Sequence, residues 1–443
     1  MPTLRTDPIA YLRQIQACCN GLSLASRYGR VTDVLPTVFS ASGLQAPVGA
    51  VCEVVDEAYG HGLAEVTAIQ GPVTRLMPMG GTLGLRAGMK VKMIRPRPEV
   101  GVGPGLLGRI LNGHGHPLDG QGPLAIEGHR SLENAPPDAL SRPPICTVAP
   151  TGVKALDGLL TFGEGQRLGI MAPAGVGKST LMGMLARSQG FDVVVVALIG
   201  ERGREVLEFL EQALGEEGRR RSVVVCATSD TAAMERAHAA KAATTIAEYF
   251  RDQGHRVLLM MDSLTRYARA LREIGLAAGE LPARRGYPAS VFADLPKLLE
   301  RAGTSAHGSI TALYTLLADD ETASDPITEE VRGILDGHIL LSRKLAAKGH
   351  FPAIDVLGSV SRLMSQIADK AHQAAARNLR MLLAKYQEIE LLIQTGEYRQ
   401  GQDPVADRAV QAQAEIAQYL QQRTDEIIDW HHCLQMLSRL EAA

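Results

Sequence analysis

The 443-residue sequence predicts an α/β protein built on a parallel sheet, with a small β-rich domain before it and a helical domain after it. Between about residues 151 and 360, short apolar runs alternate with helical stretches, a pattern typical of parallel strands covered by helices on both faces. Upstream, short β-rich runs alternate with Gly and Pro turns, and downstream the apolar residues recur with a helical period.

The composition argues against a nucleic-acid-binding, a membrane-spanning or a secreted protein. The chain carries 46 basic and 48 acidic residues, a net charge of −2, and 4% aromatic residues. This argues against a nucleic-acid partner, because such surfaces are usually basic and stack bases on aromatic rings. No apolar run approaches the roughly 20 residues of a membrane span, and the N-terminus lacks the apolar core of a signal peptide. The six cysteines show no disulfide or zinc spacing. We therefore expect a cytoplasmic protein.

The N-terminal third of the chain divides into three predicted segments. Residues 1–25 include a short amphipathic helix over residues 7–20, which begins at Asp7-Pro8. Residues 26–97 carry the β-rich runs GRVTDV, AVCEVV, LAEVTAI and KVKMI, which indicate a small barrel or sandwich. Residues 98–150 are rich in Gly and Pro, and we interpret them as a connecting segment.

The α/β domain is predicted over residues 151–367 and a helical domain over residues 368–443. The strand candidates are apolar and are Arg167–Met171, Val193–Ile199, Val223–Ala227, Val257–Met261 and Ile310–Leu316. In the helical domain, Asp403-Pro404 predicts the start of a helix, because Pro suits its first turn and apolar residues follow at helical spacing.

A phosphate-binding loop is predicted directly after the first of these strands. Gly175 and Gly177 let the backbone fold round a phosphate, and the N-terminus of the following helix favours its negative charge. Lys178 would contact the β- and γ-phosphates, and Ser179 would bind Mg²⁺. The first Gly of the usual motif is replaced by Ala172. The nucleotide-binding residues of the loop are predicted to be Pro173, Ala174, Gly175, Val176, Gly177, Lys178, Ser179 and Thr180.

Two further strands lead to acids that suit the same site. Asp262 ends the run RVLLMMD and would hold Mg²⁺ directly or through water, although strands also end in Asp for structural reasons. Glu201 follows Val193–Ile199, and a carboxylate there suits the activation of an attacking water. Arg202 could position this carboxylate, and Glu205 could reach the water shell of the metal. The same charges would also suit a solvated cap on the next helix.

Several longer stretches resemble one known family. They are GEGQRLGI, GERGREVLEFL, ATSD, MDSLTRYARALREIGLAAGE, RRGYPASVFADLPKLLERAG, LDGHILLSRKLA and, most specifically, PAIDVLGSVS at residues 352–361. These stretches resemble the catalytic ATPases of type III secretion, which include the injectisome and flagellar export ATPases and are similar to the rotary ATP synthase α/β subunits. KYQEIELLI followed by GEY looks more like the injectisome branch.

The resemblance implies a RecA-like P-loop ATPase core, a barrel-like N-terminal domain and a helical C-terminal domain, assembled in a homohexameric ring that uses Mg²⁺ with ATP. By this resemblance, Glu201 is the general base, Arg202 is its neighbour and Arg362 is an arginine finger that enters the adjacent subunit. Phe351 matches the aromatic residue that stacks on adenine, although it would also suit a core position. Without the resemblance, Arg362 would be only a surface arginine.

The implied function is Mg-dependent ATP hydrolysis that energises protein export, with chaperone release and substrate unfolding at the cytoplasmic entrance of the machine. The implied partners are further copies of the chain, central stalk and stator proteins, secretion chaperone–substrate complexes and the export gate at the inner membrane, with which the protein would associate peripherally. Other readings stay open: a flagellar export ATPase, a rotary F- or V-type subunit, a Rho-like translocase and a non-catalytic nucleotide-binding subunit. The acidic balance argues against the translocase, and Glu201 argues against the non-catalytic subunit.

Overall fold

The computed structural model describes residues 28–56, 60–82, 84–317 and 325–442. The chain divides into two compact units, Met1–Pro96 and Arg97–Ala443. The helix predicted over residues 7–20 lies outside the described residues, so it stays a prediction. Within the described ranges, no helix is both long enough and apolar enough to cross a membrane.

A closed six-stranded antiparallel barrel forms the described part of the first unit. Strands β1 to β6 are Gly29–Val34, Phe39–Ser42, Val51–Asp56, Gly60–Gln70, Val73–Pro78 and Lys90–Arg95. They pair in the order β1-β2-β5-β4-β3-β6, and β1 also pairs with β6. Val31, Phe39 and Ala41 belong to its apolar core, as the alternation of side chains along a strand requires. The β-rich pattern left a barrel or a sandwich open, and the structure shows a barrel.

A nine-stranded, mainly parallel sheet forms the centre of the second unit. The strands of this unit, β7 to β17, are Glu99–Val102, Ile110–Asn112, Gly128–Ser131, Arg167–Ala172, Val193–Glu201, Ser222–Thr228, Arg256–Asp262, Gly303–Thr304, Ser309–Leu317, Gly337–Leu341 and Ile354–Ser361. Strands β7 and β9 form a separate two-stranded sheet, and the other nine form the main sheet. The sheet order is β17-β16-β10-β15-β13-β11-β12-β8, with β14 paired to β15. Strands β14 and β17 pair antiparallel and the others parallel. The five predicted strands are all present, each longer by at most two residues at an end.

Helices cover both faces of this sheet. Helices α1 to α13 are Lys154–Leu159, Lys178–Ala186, Gly203–Glu208, Gly215–Arg220, Ala233–Asp252, Leu264–Ala278, Ala289–Leu299, Pro326–Ile334, Arg343–Ala347, Met364–Ile367, Lys370–Thr395, Pro404–Leu420 and Trp430–Ala442. A π-helical turn, Phe209–Leu214, separates α3 from α4. Val195 and Ala197 of β11 enter the apolar cluster of α5 and α6, whereas Val194 and Val196 enter the cluster of α2. This two-sided burial explains why residues 193–199 of β11 are all apolar.

The C-terminal helices α11 to α13 belong to the second unit and pack against α1. Leu379 of α11 and Ile416 of α12 share an apolar cluster with residues of α1 and α2. The Asp403 carboxylate caps α12 by accepting hydrogen bonds from the backbone N–H groups of Val405 and Ala406. The helix predicted to start at Asp403-Pro404 is therefore present, and the C-terminal region is helical.

Residues 98–150 contribute strands to the second unit. β8 pairs in parallel with β12 at the end of the main sheet, and β7 pairs with β9. Arg301 holds this segment by donating a hydrogen bond to the Leu132 carbonyl at 2.7 Å. The Gly- and Pro-rich pattern predicted a connecting segment and gave no sign of β8, because a strand of three residues is too short to show a period.

Candidate nucleotide-binding and catalytic site

The predicted phosphate-binding loop lies between β10 and α2. β10 ends at Ala172, and α2 begins at Lys178. Gly175 (φ 79°) and Gly177 (φ 86°) adopt left-handed backbone conformations that favour glycine. The loop leads into the N-terminus of a nine-residue helix, whose free N–H groups and dipole favour a bound anion. This strand–loop–helix arrangement is the one that the sequence motif needs to bind phosphate.

Lys178 lies between two carboxylates. Its Nζ is 2.5 Å from Asp262 Oδ1 and 3.8 Å from Glu201 Oε1. These residues meet because β11 and β13 are parallel neighbours, so their carboxyl ends reach the same edge of the sheet. Thr315, on β15, donates its hydroxyl hydrogen to Asp262 Oδ1 at 2.7 Å. The cluster therefore joins four elements that are far apart in the sequence.

Arg266 fixes the position of Glu201. From the first turn of α6, its Nη2 donates a hydrogen bond to Glu201 Oε2 at 3.1 Å, and its Nη1 donates to the Gly200 carbonyl. Gly200 has φ 66° and lies where the register between β11 and β12 shifts. A β-carbon at Gly200 would lie 3.0 Å from Arg266 Cδ. The bulge at Gly200 changes the direction of the Glu201 side chain that follows it. Arg266 holds both the Gly200 carbonyl and the Glu201 carboxylate.

Glu201 is a buried carboxyl group with one free oxygen. Burial raises the pKa of Glu201 to about 8, and the nearby Glu205 and Asp262 carboxyl groups act in the same direction against Lys178 and Arg266. Contact with Glu201 lowers the pKa of Glu205. Among the described residues, Glu201 Oε1 has no hydrogen-bond partner. A buried acceptor left free in this way can take a hydrogen bond from a water molecule.

The oxygen donors around Lys178 suit Mg²⁺. Ser179, Glu201, Glu205 and Asp262 line one narrow cavity. Mg²⁺ prefers oxygen ligands, and it usually takes one or two carboxylates together with waters and substrate phosphates. In the described parts of the chain, no group of three or more His, Cys, Asp or Glu side chains is spaced to hold a metal ion. Together with phosphate oxygens and waters, the Ser179 hydroxyl and the Asp262 carboxylate would be a suitable donor set for Mg²⁺.

Phe351 lies beside the phosphate loop. Its side chain is 44% exposed, and its ring is 3.6 Å from the position that a β-carbon on Gly177 would take. The backbone N–H of Gln422 donates a hydrogen bond to the Phe351 carbonyl at 3.0 Å. The Gln422 side chain donates to the Gly152 carbonyl at 2.7 Å and accepts from the Lys154 N–H at 2.9 Å. The C-terminal helices are thus attached to the aromatic edge of the site.

The two remaining arginine candidates lie outside the cluster. Arg202 is exposed, and its guanidinium is 3.7 Å from the Glu205 carboxylate. Arg362 is also exposed, and its Nη2 is 3.4 Å from the Arg332 carbonyl oxygen. A single subunit therefore brings Lys178, Glu201 and Asp262 together and leaves Arg362 at its surface.

Sequence reasoning missed Arg266 and Thr315. Arg266 comes four residues after Asp262, one helical turn beyond the strand end, and this spacing is the signal that could have found it. Thr315 is a buried hydroxyl in an otherwise apolar strand, but only the strand order places it beside Asp262.

Comparison with known proteins identifies the family. The chain is 55% identical over 419 residues to the type 3 secretion system ATPase of Xanthomonas euvesicatoria, an alignment that covers 94% of this chain and 95% of that protein. The chain belongs to the type III secretion ATPase family. Residues 152–361 match the nucleotide-binding domain of the ATP synthase alpha/beta family, and residues 368–439 match the T3SS EscN ATPase C-terminal domain.

Solved structures of this family share the fold. The assembled ATPase EscN from the type III secretion system of enteropathogenic E. coli is 46% identical, with a TM-score of 0.88 over 93% of this chain and 99% of that chain. EscN in complex with its central stalk EscO matches with a TM-score of 0.87 over the same shares of the two chains. The resemblance found in the sequence is confirmed, and with it the RecA-like core. As a family member, the protein is a nucleotide-binding ATPase of type III protein export.

Proposed function

We propose that this type III secretion ATPase hydrolyses Mg-ATP at the sheet edge where α2 begins. The observation that carries the proposal is the position of Lys178 between Asp262 and Glu201. A triphosphate would replace these carboxylates as the partner of Lys178, and loop residues 173–180 would enclose its phosphates. Phe351, beside the loop, would stack on the adenine ring.

Glu201 would act as the general base. Glu201 lines the cavity, its Oε1 has no hydrogen-bond partner among the described residues, and its Oε2 is held by Arg266. The carboxylate form would orient the attacking water and accept its proton as the water oxygen bonds to the γ-phosphorus. The bond from the γ-phosphorus to the β–γ bridging oxygen breaks in the same step, and ADP is the leaving group. Arg202 would assist from the rim of the site, through its ion pair with Glu205.

Ser179 and Asp262 would hold the Mg²⁺ ion, and Glu205 would bind it through a water molecule. When bound, the ion neutralises charge on the β- and γ-phosphate oxygens. Thr315 orients the Asp262 carboxylate by its hydrogen bond. Lys178 adds a positive charge at the same phosphates, so the chain itself supplies part of the charge stabilisation.

The active form would be a homohexamer in which Arg362 enters the nucleotide site of the adjacent subunit. Its exposed position outside the cluster of its own subunit supports a role in trans. The existence of an assembled form of EscN supports assembly of this chain. An arginine finger stabilises charge on the transferring phosphoryl group, so hydrolysis would depend on ring formation.

The ring would release chaperones from export substrates and unfold those substrates at the cytoplasmic entrance of the secretion machine. The EscN–EscO complex supports a central stalk as a partner. Stator proteins, the export gate and peripheral attachment to the inner membrane complete the proposed setting. Exposed apolar residues on α11, with Leu391 at 68% and Met381 at 44% exposure, support docking of chaperone–substrate complexes on the C-terminal helices.

The proposed chemistry is tested by Glu201→Gln. This change keeps the size of the side chain and removes the proton acceptor, so turnover should fall by about 10² or more while Mg-ATP binding persists. Glu208→Gln is a matched control, because Glu208 lies on α3, away from the Lys178 cluster, and pairs with the exposed Arg204. A Glu201→Gln protein that hydrolyses ATP as fast as the control would exclude Glu201 as the base.

The trans role of Arg362 is tested by mixing two inactive proteins. Lys178→Ala keeps the finger, and Arg362→Ala keeps the phosphate loop. If the finger acts in the neighbouring site, mixed rings should regain turnover, although each protein alone hydrolyses ATP poorly. Mixed rings without any regained turnover would show that Arg362 does not act in trans.

Chaperone docking is tested by Leu391→Lys, with Leu35→Lys in the barrel as an exposed leucine control. A point substitution is sharper than removal of the C-terminal helices, because those helices share an apolar core with α1 and α2. Loss of chaperone binding in the Leu391 variant alone supports docking on α11. Equal binding by both variants would move the docking site elsewhere.

A further inference from the structure

We propose that Arg332 is a second arginine that, together with Arg362, each subunit donates to the nucleotide held by its neighbour. This inference rests on the proposed trans role of Arg362. The ligand of the pair is a polyphosphate anion bound to a second copy of this chain.

The first observation is the contact between the two arginines. Arg332 lies near the end of α8 and Arg362 follows β17, and both side chains are exposed. Arg362 Nη2 is 3.4 Å from the Arg332 carbonyl oxygen. The backbone of Arg332 therefore borders any surface that receives Arg362.

The second observation is that the positive charge of this pair is unbalanced. In the described parts of the chain, neither Arg332 nor Arg362 forms an ion pair with a carboxylate. The carboxylate of Asp336 nearby is bound by Arg167, whose Nε is 3.2 Å and Nη2 3.4 Å from its oxygens. Burial lowers the pKa of His338, and Arg332 and Arg362 lower it further. A surface with two unpaired arginines favours an anion.

The third observation concerns the Arg332 side chain, whose hydrogen-bond partner is weak. The Arg332 guanidinium donates a hydrogen bond to Met171 Sδ at 3.1 Å, and a thioether is only a weak acceptor. Met171 belongs to the apolar cluster of α5 and α6, whereas the residues of α2 belong to the cluster on the other face of the sheet. The Arg332 guanidinium therefore lies on the face of β10 opposite α2. Because its sulfur acceptor is weak, exchange of this contact for a phosphate of the neighbouring subunit would cost little free energy.

The two arginines would have different roles in the neighbouring nucleotide site. Arg362 is the finger, and the Arg332 carbonyl holds one of its nitrogens. The Arg332 guanidinium brings a second positive charge to the same interface, where charge develops on the γ-phosphate. We expect Arg332→Ala to assemble and to bind ATP with unchanged affinity, and to lower turnover by about 10- to 100-fold.

Directional mixing tests this assignment. Arg332→Ala mixed with Lys178→Ala should regain turnover, because the Lys178→Ala subunit donates an intact arginine pair. Arg332→Ala mixed with Arg362→Ala should regain none, because both proteins are damaged on the same donating face. Formation of mixed rings is checked by co-purification with a tagged subunit, and Arg220→Ala serves as the control for loss of an exposed arginine.

The outcomes separate the inference from the function on which it rests. Regained turnover in the Arg332→Ala and Arg362→Ala mixture would place Arg332 in the site of its own subunit and overturn the inference. Parental turnover of Arg332→Ala would overturn it as well. If Arg332→Ala fails to assemble, Arg332→Gln, which keeps length without charge, takes its place in both mixtures. Failure of Lys178→Ala to complement Arg362→Ala would instead refute the trans finger itself.

Discussion

Two clusters of buried charges lie in the same unit and differ in how completely they are paired. In one, Arg301 donates to both Glu248 oxygens at 2.8 Å and to Thr245 Oγ1 at 2.8 Å, and Asn134 donates to Glu248 Oε2 at 2.8 Å. In the other, around Lys178, Glu201 Oε1 and Arg266 Nε lack hydrogen-bond partners among the described residues. A fully paired cluster stabilises a fold, whereas a partly paired one at a cavity can bind and react.

The largest effect is expected for Lys178→Ala. The β- and γ-phosphates lose their closest positive side chain, so turnover per folded molecule should fall by about 10³ or more. Lys348→Ala is the control, because Lys348 is an exposed lysine paired with Glu390. If folded Lys178→Ala hydrolyses ATP at the control rate, the cluster around Lys178 is not the site of hydrolysis.

Arg301→Ala tests the other cluster. It leaves the Glu248 carboxylate buried without its main partner, which should cost about 3–5 kcal/mol of folding stability. Arg130→Ala should cost about 1 kcal/mol or less, because the Arg130–Asp252 pair is partly exposed. The denaturant midpoints of both proteins measure this difference. Turnover per folded molecule should stay near the parental value in each, and a specific loss of turnover in Arg301→Ala would show that the paired cluster also serves the reaction.

The pH dependence of turnover is the third test. Below pH 8 the raised pKa of Glu201 keeps most of the free enzyme protonated and unable to act as a base. The value of kcat/KM should therefore rise about tenfold per pH unit as the pH approaches 8. The folded state holds a proton that the unfolded state releases near the ordinary glutamate pKa, so this group lowers stability as pH rises from there toward 8. Glu201→Gln should abolish both dependences, and a profile unchanged in this variant would assign them to another group.

The smallest effect is expected for Thr315→Val. This near-isosteric change removes the hydrogen bond to Asp262 Oδ1, so the Mg²⁺ concentration needed for half-maximal turnover should rise about tenfold. Thr311→Val is the matched control, because Thr311 lies on the same strand and accepts a hydrogen bond from the Gly165 N–H instead. Equal Mg²⁺ requirements in the two variants would limit Thr315 to packing.

The sequence predicted the strands and the phosphate loop because both depend on local signals. Apolar runs mark β10 to β13 and β15, and Gly175, Gly177 and Lys178 form a short motif with fixed spacing. The partner of the Asp262 carboxylate could not be predicted in this way. Thr315 meets Asp262 only because β15 lies beside β13. Arg362 meets the Arg332 carbonyl only because α8 ends near the end of β17. Such contacts depend on the order of the strands in the sheet and on how the chain connects them. The hydrophobic period and the composition of the sequence do not reveal either.

The hydrogen bonds of Gln422 connect the C-terminal helices mechanically to the edge of the candidate site. One residue joins the end of α12 to the Phe351 carbonyl, to Gly152 and to the start of α1. A load that displaces α12 must therefore stretch or break these bonds, and it acts at the edge that carries Phe351 before it acts at the phosphate loop. If Phe351 stacks on the adenine ring as proposed, a pull on α12 would loosen that end of the nucleotide first, so the residence time of bound ADP would report the tension on the chain.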